Sequence, residues 1–271
     1  MRVSVIIPVF NEAERITECL KALQKQDVKC EIIVVNDGST DDSEKHIRAF
    51  PVVYREVQHS GAGAARNMGV SYAKGAILVF VDADMTFEKD FITRLIEPIK
   101  MKKVIGTFTK NEVVKNWSNP WARSWNYNEN LNGPFRIPKH YGDEAPVFRA
   151  IRKSEFEKAG GFDTALGYTD DWSLSRKLGV KAKAVNDAIC YHYNPASLTE
   201  VWIQARWIGH NEFLRRNLFA LIRYSLLVSI IVGIVKTIRH QELRFLLFRV
   251  VYDFAVWLSV VESFFRVKVA K

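Results

Sequence analysis

The chain has 271 residues, 48% hydrophobic and 25% charged, a composition that supports a sizeable folded core and excludes a disordered or fibrous protein. Its net charge of +9 is uneven: residues 214–271 hold ten Lys and Arg against three acids, leaving a nearly neutral body and a basic tail. The scattered Cys19, Cys30 and Cys190 exclude a disulfide framework or a cysteine zinc site, no nucleic-acid-binding motif is present, and cations interleaved with apolar residues point to an anionic membrane surface.

The chain opens directly on a strand, Arg2 to Val9, without a charged-then-apolar leader, so a reducing, cytosolic setting is expected. Asn11 is a candidate N-cap for an amphipathic helix with Ile16, Leu20 and Leu23 on its apolar side. A second strand, Glu31 to Val35, runs into Asn36-Asp37-Gly38-Ser39-Thr40-Asp41-Asp42, a turn followed by a helix cap. Val52 to Val57 forms a weaker third strand. Gly61-Ala62-Gly63-Ala64-Ala65-Arg66-Asn67-Met68-Gly69 then opens a helix. This is no dinucleotide fingerprint, because Arg66 stands at the third glycine position and the stretch does not follow the first strand. A helix start rich in small residues still brings N–H groups near an anion, with Arg66 available to a phosphate; tight packing on the sheet accounts for it equally well.

The fourth strand is the apolar run ending in Val79-Phe80-Val81-Asp82-Ala83-Asp84. Extended backbone would turn Asp82 and Asp84 to one side at the strand's carboxyl end, where open α/β sheets bind ligands. Two carboxylates there suit a divalent ion shared with substrate phosphates. Strands alternating with helices over a hundred residues imply a parallel, doubly wound sheet.

Four motifs stand in register: Pro8-Val9-Phe10-Asn11-Glu12, Val34-Val35-Asn36-Asp37-Gly38-Ser39-Thr40-Asp41, Gly63-x-x-x-Asn67-x-Gly69, and Val81-Asp82-Ala83-Asp84. In order and spacing they resemble the family 2 inverting glycosyltransferases of the GT-A fold, over roughly residues 1–210. The resemblance implies a Rossmann-like, mostly parallel sheet flanked by helices, and sugar transfer from a nucleotide diphosphate donor of the UDP or GDP type. It places Pro8, Phe10 and Glu12 in the nucleotide pocket, Asp37 against the base, and Asp82 and Asp84 beside the ribose and a diphosphate bound to Mg²⁺ or Mn²⁺. A carboxylate can accept from a base N–H and Phe10 can cover a ring.

Residues 104–145 break the alternation. Trp117, Trp121 and Trp125 would share one helical face, either as a satellite core or as an acceptor platform. After a strand at Ala145 to Arg152, Gly160-Gly161-Phe162-Asp163 and Asp170-Asp171 are similar to the family's Gly-Gly-Phe-Asp segment and its acidic pair. Asp170 suits N-capping as well as substrate binding. Asp171 is the expected base for the acceptor hydroxyl. His192, ending a strand from Lys183, is where the family can complete the metal site beside Asp84. Gln204-Ala205-Arg206-Trp207 approaches the family's Gln-x-x-Arg-Trp element out of register; Arg206 is a candidate partner for the leaving diphosphate.

The tail carries two apolar runs. In Phe245 to Phe265, Arg249, Asp253 and Glu262 fall on one side of a helical wheel and Leu246, Val250, Phe254, Trp257 and Val261 on the other. Basic residues flank both runs, which favours helices lying on or dipping into the cytoplasmic leaflet over a hairpin that crosses it. The expected division is a catalytic domain over residues 1–213 and membrane-associated helices over residues 214–271. The expected partners are a nucleotide diphosphate-sugar, a lipid-linked or glycan acceptor, and the cytoplasmic face of the cell membrane. A sugar nucleotidyltransferase and a membrane-surface scaffold with a degenerate donor site are the alternatives. Pro8-Val9-Phe10-Asn11 stands where the former needs a Gly-rich loop, and the carboxylate set opposes the latter.

Overall fold

The computed structural model describes residues 2–138, 140–164, 171–212 and 217–265. The chain divides into two compact units, Met1–Val113 with Ile137–His192, and Val114–Arg136 with Tyr193–Lys271. The expected boundary after residue 213 therefore falls inside the second unit, which also draws a segment from mid-chain.

In the first unit, β1 (Val3–Val9), β2 (Glu31–Asn36), β3 (Val53–Glu56) and β4 (Ile77–Phe80) run parallel in the order β3-β2-β1-β4. The sheet then changes character. β8 (Ala150–Arg152) lies antiparallel to β4, followed by β6 (Gly106–Val114), β9 (Ala182–His192) and β5 (Met85–Phe87), with the short β7 (Glu144–Ala145) also on β9. The fold is α/β as expected, but the sheet is mixed rather than doubly wound throughout.

The period of two along β1 separates the layers. Val3, Val5, Ile7 and Val9 join α1 (Ile16–Gln24) and α4 (Phe91–Lys100), whereas Ile6 joins the cluster containing α3 (Ala62–Tyr72), α6 (Lys153–Lys158) and α7 (Ser173–Leu178). Gly69 lets α3 lie against β1, since a Cβ there would meet Ile6 Cγ2 at 2.5 Å. α2 (Ser43–Arg48) completes the helices around the parallel strands.

The second unit holds α5 (Pro120–Asn128), α8 (Leu198–Glu212), α9 (Leu218–Arg223), α10 (Leu226–His240) and α11 (Phe245–Phe265). Asn119 caps α5 by accepting from Trp121 and Ala122 N–H groups. Trp121 and Trp125 pack on a core of Phe245, Phe248, Tyr252 and Val256. Trp117 lies in the turn before α5, edge-on to Tyr127 at 5.9 Å, so the three tryptophans do not form one helical face. The aromatics form a satellite core.

The orientation expected for α11 is reversed. Arg249 and Asp253 are buried, while Phe254 is 52% exposed. No helix among the described residues is long and apolar enough to cross a membrane.

Candidate active site

The loops after β1 and β2 are knitted together at the carboxyl edge of the parallel strands. The Asn11, Glu12 and Ala13 N–H groups donate to Ser39 Oγ, Ser43 Oγ and Asp41 Oδ2 at 3.0, 2.8 and 3.0 Å. Thr40 N–H donates back to Asn11 Oδ1 at 2.8 Å. Asn11 is thus not the cap of α1. It adopts φ 56°, the left-handed region that asparagine tolerates, and Arg15 precedes the helix. Asp41 bridges by accepting from Ala13 and Ser43, and these hydrogen bonds outweigh desolvation to lower its pKa.

Pro8 is paired with Val35 in the sheet, and Phe10 stands 42% exposed beyond it. Glu12 lies 3.9 Å from Arg15. The Asp37 carboxylate is buried at the end of β2 and grips the entry to α3. Its Oδ1 accepts from Ser60 N–H and Oγ, and its Oδ2 from Gly61 N–H, while His59 Nδ1 lies 2.9 Å from Oδ2 and 3.1 Å from the Asp37 backbone oxygen.

The Asp82–Asp84 segment is a turn, closed by Met85 N–H donating to Asp82 C=O at 3.2 Å. The two carboxylates are therefore carried by a turn rather than by extended backbone, and each meets different partners. Asp82 lies between two guanidiniums, accepting from Arg66 at 2.9 Å on Oδ1 and from Arg149 at 2.9 Å on Oδ2. Burial would raise its pKa, but Arg149 and Arg66 outweigh burial and hold the carboxyl well below the usual range. Arg149 also reaches Glu112 at 3.3 Å, and these two acids override the desolvation that opposes its charge.

Asp84 meets His192 instead, with Oδ1 2.9 Å from Nε2. On the other side of that ring, Nδ1 lies 2.7 Å from Glu112 Oε1. Asp84, Glu112 and His192 are all buried. Among the described residues no group of three or more acids, histidines or cysteines is placed so that it could hold a metal ion. A hard ion that takes one or two protein ligands and completes its shell with phosphate oxygens needs less. Asp84 and His192 Nε2 fit that requirement, and Glu112 fixes the ring from behind, as carboxylates do for ligating histidines.

Asp171 stands just before α7, where its Oδ1 accepts from Arg66 Nη1 at 2.5 Å. One guanidinium thus holds the carboxylate after β4 and the carboxylate before α7. The approach to α7 is anchored by a two-point clasp: Phe162 N–H donates to Asn67 Oδ1 at 2.9 Å, and Asn67 Nδ2 donates to Phe162 C=O at 3.0 Å. Gly161 permits it, with φ 75° and an absent Cβ that would lie 2.6 Å from Asn67 Oδ1. Beneath the site the buried Cys19 thiol points at Asp82 C=O at 3.6 Å, its pKa pushed far up by burial and by Asp84 and Asp82.

The structure thus brings Asp82, Arg66, Asp171, Asp84 and His192 into one charge network. Arg149 and Glu112 were missed by sequence reasoning. Arg206 has a different setting, in the second unit, where its Nη2 donates to both Glu262 carboxylate oxygens, at 2.7 and 2.8 Å. Asp170 lies outside the described residues.

The family model described as Glycosyl transferase family 2 matches residues 4–160. Glycosyltransferase AglE of Haloferax volcanii is 40% identical over 106 residues, 36% of this chain and 35% of that protein. Poly-beta-1,6-N-acetyl-D-glucosamine synthase of Staphylococcus aureus is 27% identical over 237 residues, 82% of this chain and 57% of that protein. The chain therefore spans well under two thirds of the length of these curated relatives. Among solved structures, TarS 1–349 of Staphylococcus aureus in complex with UDP-GlcNAc aligns with a TM-score of 0.59 at 18% identity, over 97% of this chain and 91% of that one. The mannosyltransferase PcManGT of Pyrobaculum calidifontis, in complex with GDP-Man and Mn²⁺, aligns with a TM-score of 0.57 at 20% identity, over 97% and 73%. These two likenesses identify the GT-A fold.

Proposed function

The chain belongs to glycosyl transferase family 2, and from that premise we propose that it moves one sugar from a nucleotide diphosphate donor to an acceptor hydroxyl or phosphate, with inversion at the anomeric carbon. The observation that carries this reading is the fork of Arg66 between Asp82 and Asp171. Donor and acceptor chemistry need separate carboxylates within reach of one reaction centre, and a shared guanidinium supplies that closeness. The donor's base lies by Phe10 and Asp37, with its diphosphate near Arg66, Asp82 and Asp84.

Asp171 then takes the acceptor proton as the oxygen attacks opposite the departing diphosphate. Arg66 has two tasks in sequence: it holds Asp171, and it turns toward phosphate oxygens when the donor arrives. Arg149 remains on Asp82 and Glu112 and keeps those carboxylates ionised and oriented. Mg²⁺ or Mn²⁺, held by Asp84 and His192 together with the donor, would offset the charge of the leaving diphosphate. Metal-dependent donor binding is thus part of the proposal.

The acceptor is lipid-linked or a glycan, and the reaction takes place at the cytoplasmic face of the cell membrane. The basic tail and the exposed apolar side of α9 and α10 support that placement. Incubating the protein with a panel of nucleotide sugars and Mn²⁺, beginning with UDP-GlcNAc and GDP-Man, tests the reaction. Donor-specific hydrolysis or transfer is expected; no turnover of any nucleotide sugar, together with no nucleotide binding, would overturn it.

A further inference from the structure

The helices α9 and α10 are built the wrong way round for water. α10 buries Ser229 and Gly233, and α9 buries Ala220. Outward go Leu226, Leu227, Ile230, Ile231, Ile234 and Ile238, a stripe at helical spacing continued on α9 by Leu218 and Phe219. Gly233 has to face inward, because a Cβ there would meet Leu246 Cδ1 at 2.6 Å. A contiguous apolar face of this kind marks an interaction surface.

A slot opens at the N-terminal end of α10. About 470 Å³ is enclosed by Trp202, Tyr224, Leu226, Val251, Phe254 and Trp257, within the size range of small-ligand sites. Ser229 also lines it, but its hydroxyl is already committed to Ser225 C=O and Asp253 Oδ2 at 2.9 and 2.7 Å. A polar ligand would therefore find almost nothing to bond, whereas a hydrocarbon would lose only its contact with water.

Charge then selects the owner of that hydrocarbon. Each acid of the tail is spent inside the unit: Glu242 on Arg123 at 2.6 Å, Asp253 on Arg249 at 2.7 Å, Glu262 on Arg206 at 2.7 Å. Among the described residues Arg223, Arg239 and Arg244 enter no ion pair and are exposed. Arg223 precedes the slot-lining Tyr224, its guanidinium carbon 5.5 Å from that ring's centroid. An apolar cleft with a cation beside one of its lining rings, on an apolar face carrying unpaired arginines, complements an anionic amphiphile in a bilayer.

We propose that the slot takes one acyl chain of an anionic membrane lipid, whose headgroup meets Arg223 while the exposed stripe of α9 and α10 rests in the leaflet. The inference rests on the membrane placement proposed above and adds to it a site of one-lipid size.

The test uses the full chain and vesicles of phosphatidylcholine and phosphatidylglycerol with brominated acyl chains, which quench tryptophan on contact. The wild type is expected to float with these vesicles and to lose tryptophan emission. A Trp202→Phe/Trp257→Phe double variant should float equally and lose most of that quenching. Val251→Phe, which fills the slot, should likewise float with weakened quenching; Val250→Phe serves if the first variant fails to fold by circular dichroism. Flotation with quenching unchanged in both the double and the filled variants overturns the slot and leaves the membrane placement standing. No flotation at all, with sedimentation showing a dimer that covers the stripe, overturns both. Donor turnover, measured separately, bears on neither outcome.

Discussion

The imidazole of His59 lies over the ring of Phe10, with centroids 4.1 Å apart and an interplanar angle of 27°. The same imidazole stands 2.9 Å from Asp37 Oδ2 through Nδ1. A flat ring stacked on Phe10 with a ring nitrogen against Asp37 is what a nucleobase would present there. His59 therefore occupies the position that a base stacked on Phe10 would take, and a donor has to displace it. Removing the competitor in His59→Ala is expected to tighten UDP or GDP binding, by about tenfold if the displaced contacts are worth ~1.4 kcal/mol. Titration calorimetry on both proteins decides it; weaker binding by the variant would make His59 a contact to the nucleotide instead.

Asp171→Asn keeps the shape of the side chain but removes its basicity. Transfer is expected to fall by about 10²–10⁴-fold, with nucleotide affinity little changed, because in the proposed complex Asp171 faces the acceptor. A loss of donor affinity with transfer retained at saturating donor would move Asp171 to the donor side. Arg66→Lys gives the complementary result. A lysine cannot span Asp82 and Asp171 with a planar fork, so the expected defect appears in donor binding as well as turnover.

Two protein ligands hold a divalent ion weakly, so Mn²⁺ and the donor should bind together. Mn²⁺ titration followed by electron paramagnetic resonance is expected to show weak binding to the protein alone and much tighter binding with UDP. Glu112→Gln, which keeps the side-chain shape but changes the partner of His192 Nδ1, should weaken the ternary site by about 10–100-fold. Equal Mn²⁺ affinity with and without nucleotide would contradict the two-ligand site.

How far the sequence could be read follows from where each residue sits. Asp37 and Asp82 come from strand-to-loop segments and Arg66 from the first turns of α3, whose positions along a parallel sheet follow from chain order. Arg149 and Glu112 sit by β8 and on β6, strands whose antiparallel placement depends on tertiary pairing. The signal for Arg149 was a charge inside the apolar run Val147-Phe148-Arg149-Ala150-Ile151. β6 was hidden because it buries Thr107, Thr109 and Glu112, leaving no apolar alternation. In α11 the helical wheel separated two faces correctly but could not say which one turns inward, and the ion pair Arg249–Asp253 reversed the usual choice.

Gly161 carries backbone strain at the clasp between Phe162 and Asn67. Gly161→Ala would force a φ of 75° on a residue with a Cβ and press that Cβ against Asn67 Oδ1 at 2.6 Å. The expected loss is about 1–3 kcal/mol of stability, together with a fall in turnover as the segment leading to Asp171 loses its clasp. Asn67→Ala separates the two effects: it relieves the contact but removes both hydrogen bonds to Phe162. If the double variant recovers stability over Gly161→Ala while turnover stays low, the clasp positions the base; full recovery of turnover would show that it does not.

Lys236 gives a pH signature for the second unit. Its ammonium donates to the carbonyls of Tyr127 and Asn128 at 2.7 and 2.9 Å, and burial followed by repulsion from Arg249 lowers its pKa from 10.5 to about 8. Between those values the unfolded chain holds a proton that the folded chain has released. Stability therefore rises with pH across this window, as the penalty for a half-buried charge disappears. A neutral amine still has two donors for the two carbonyls. Lys236→Met has no such proton, and the effects of every other titrating group cancel in the comparison. The difference in Tm, wild type minus variant, is thus expected to increase steadily from pH 7.5 to 10.5 by calorimetry, and a flat or falling difference would place the amine in a more polar setting than the α5–α10 contact provides.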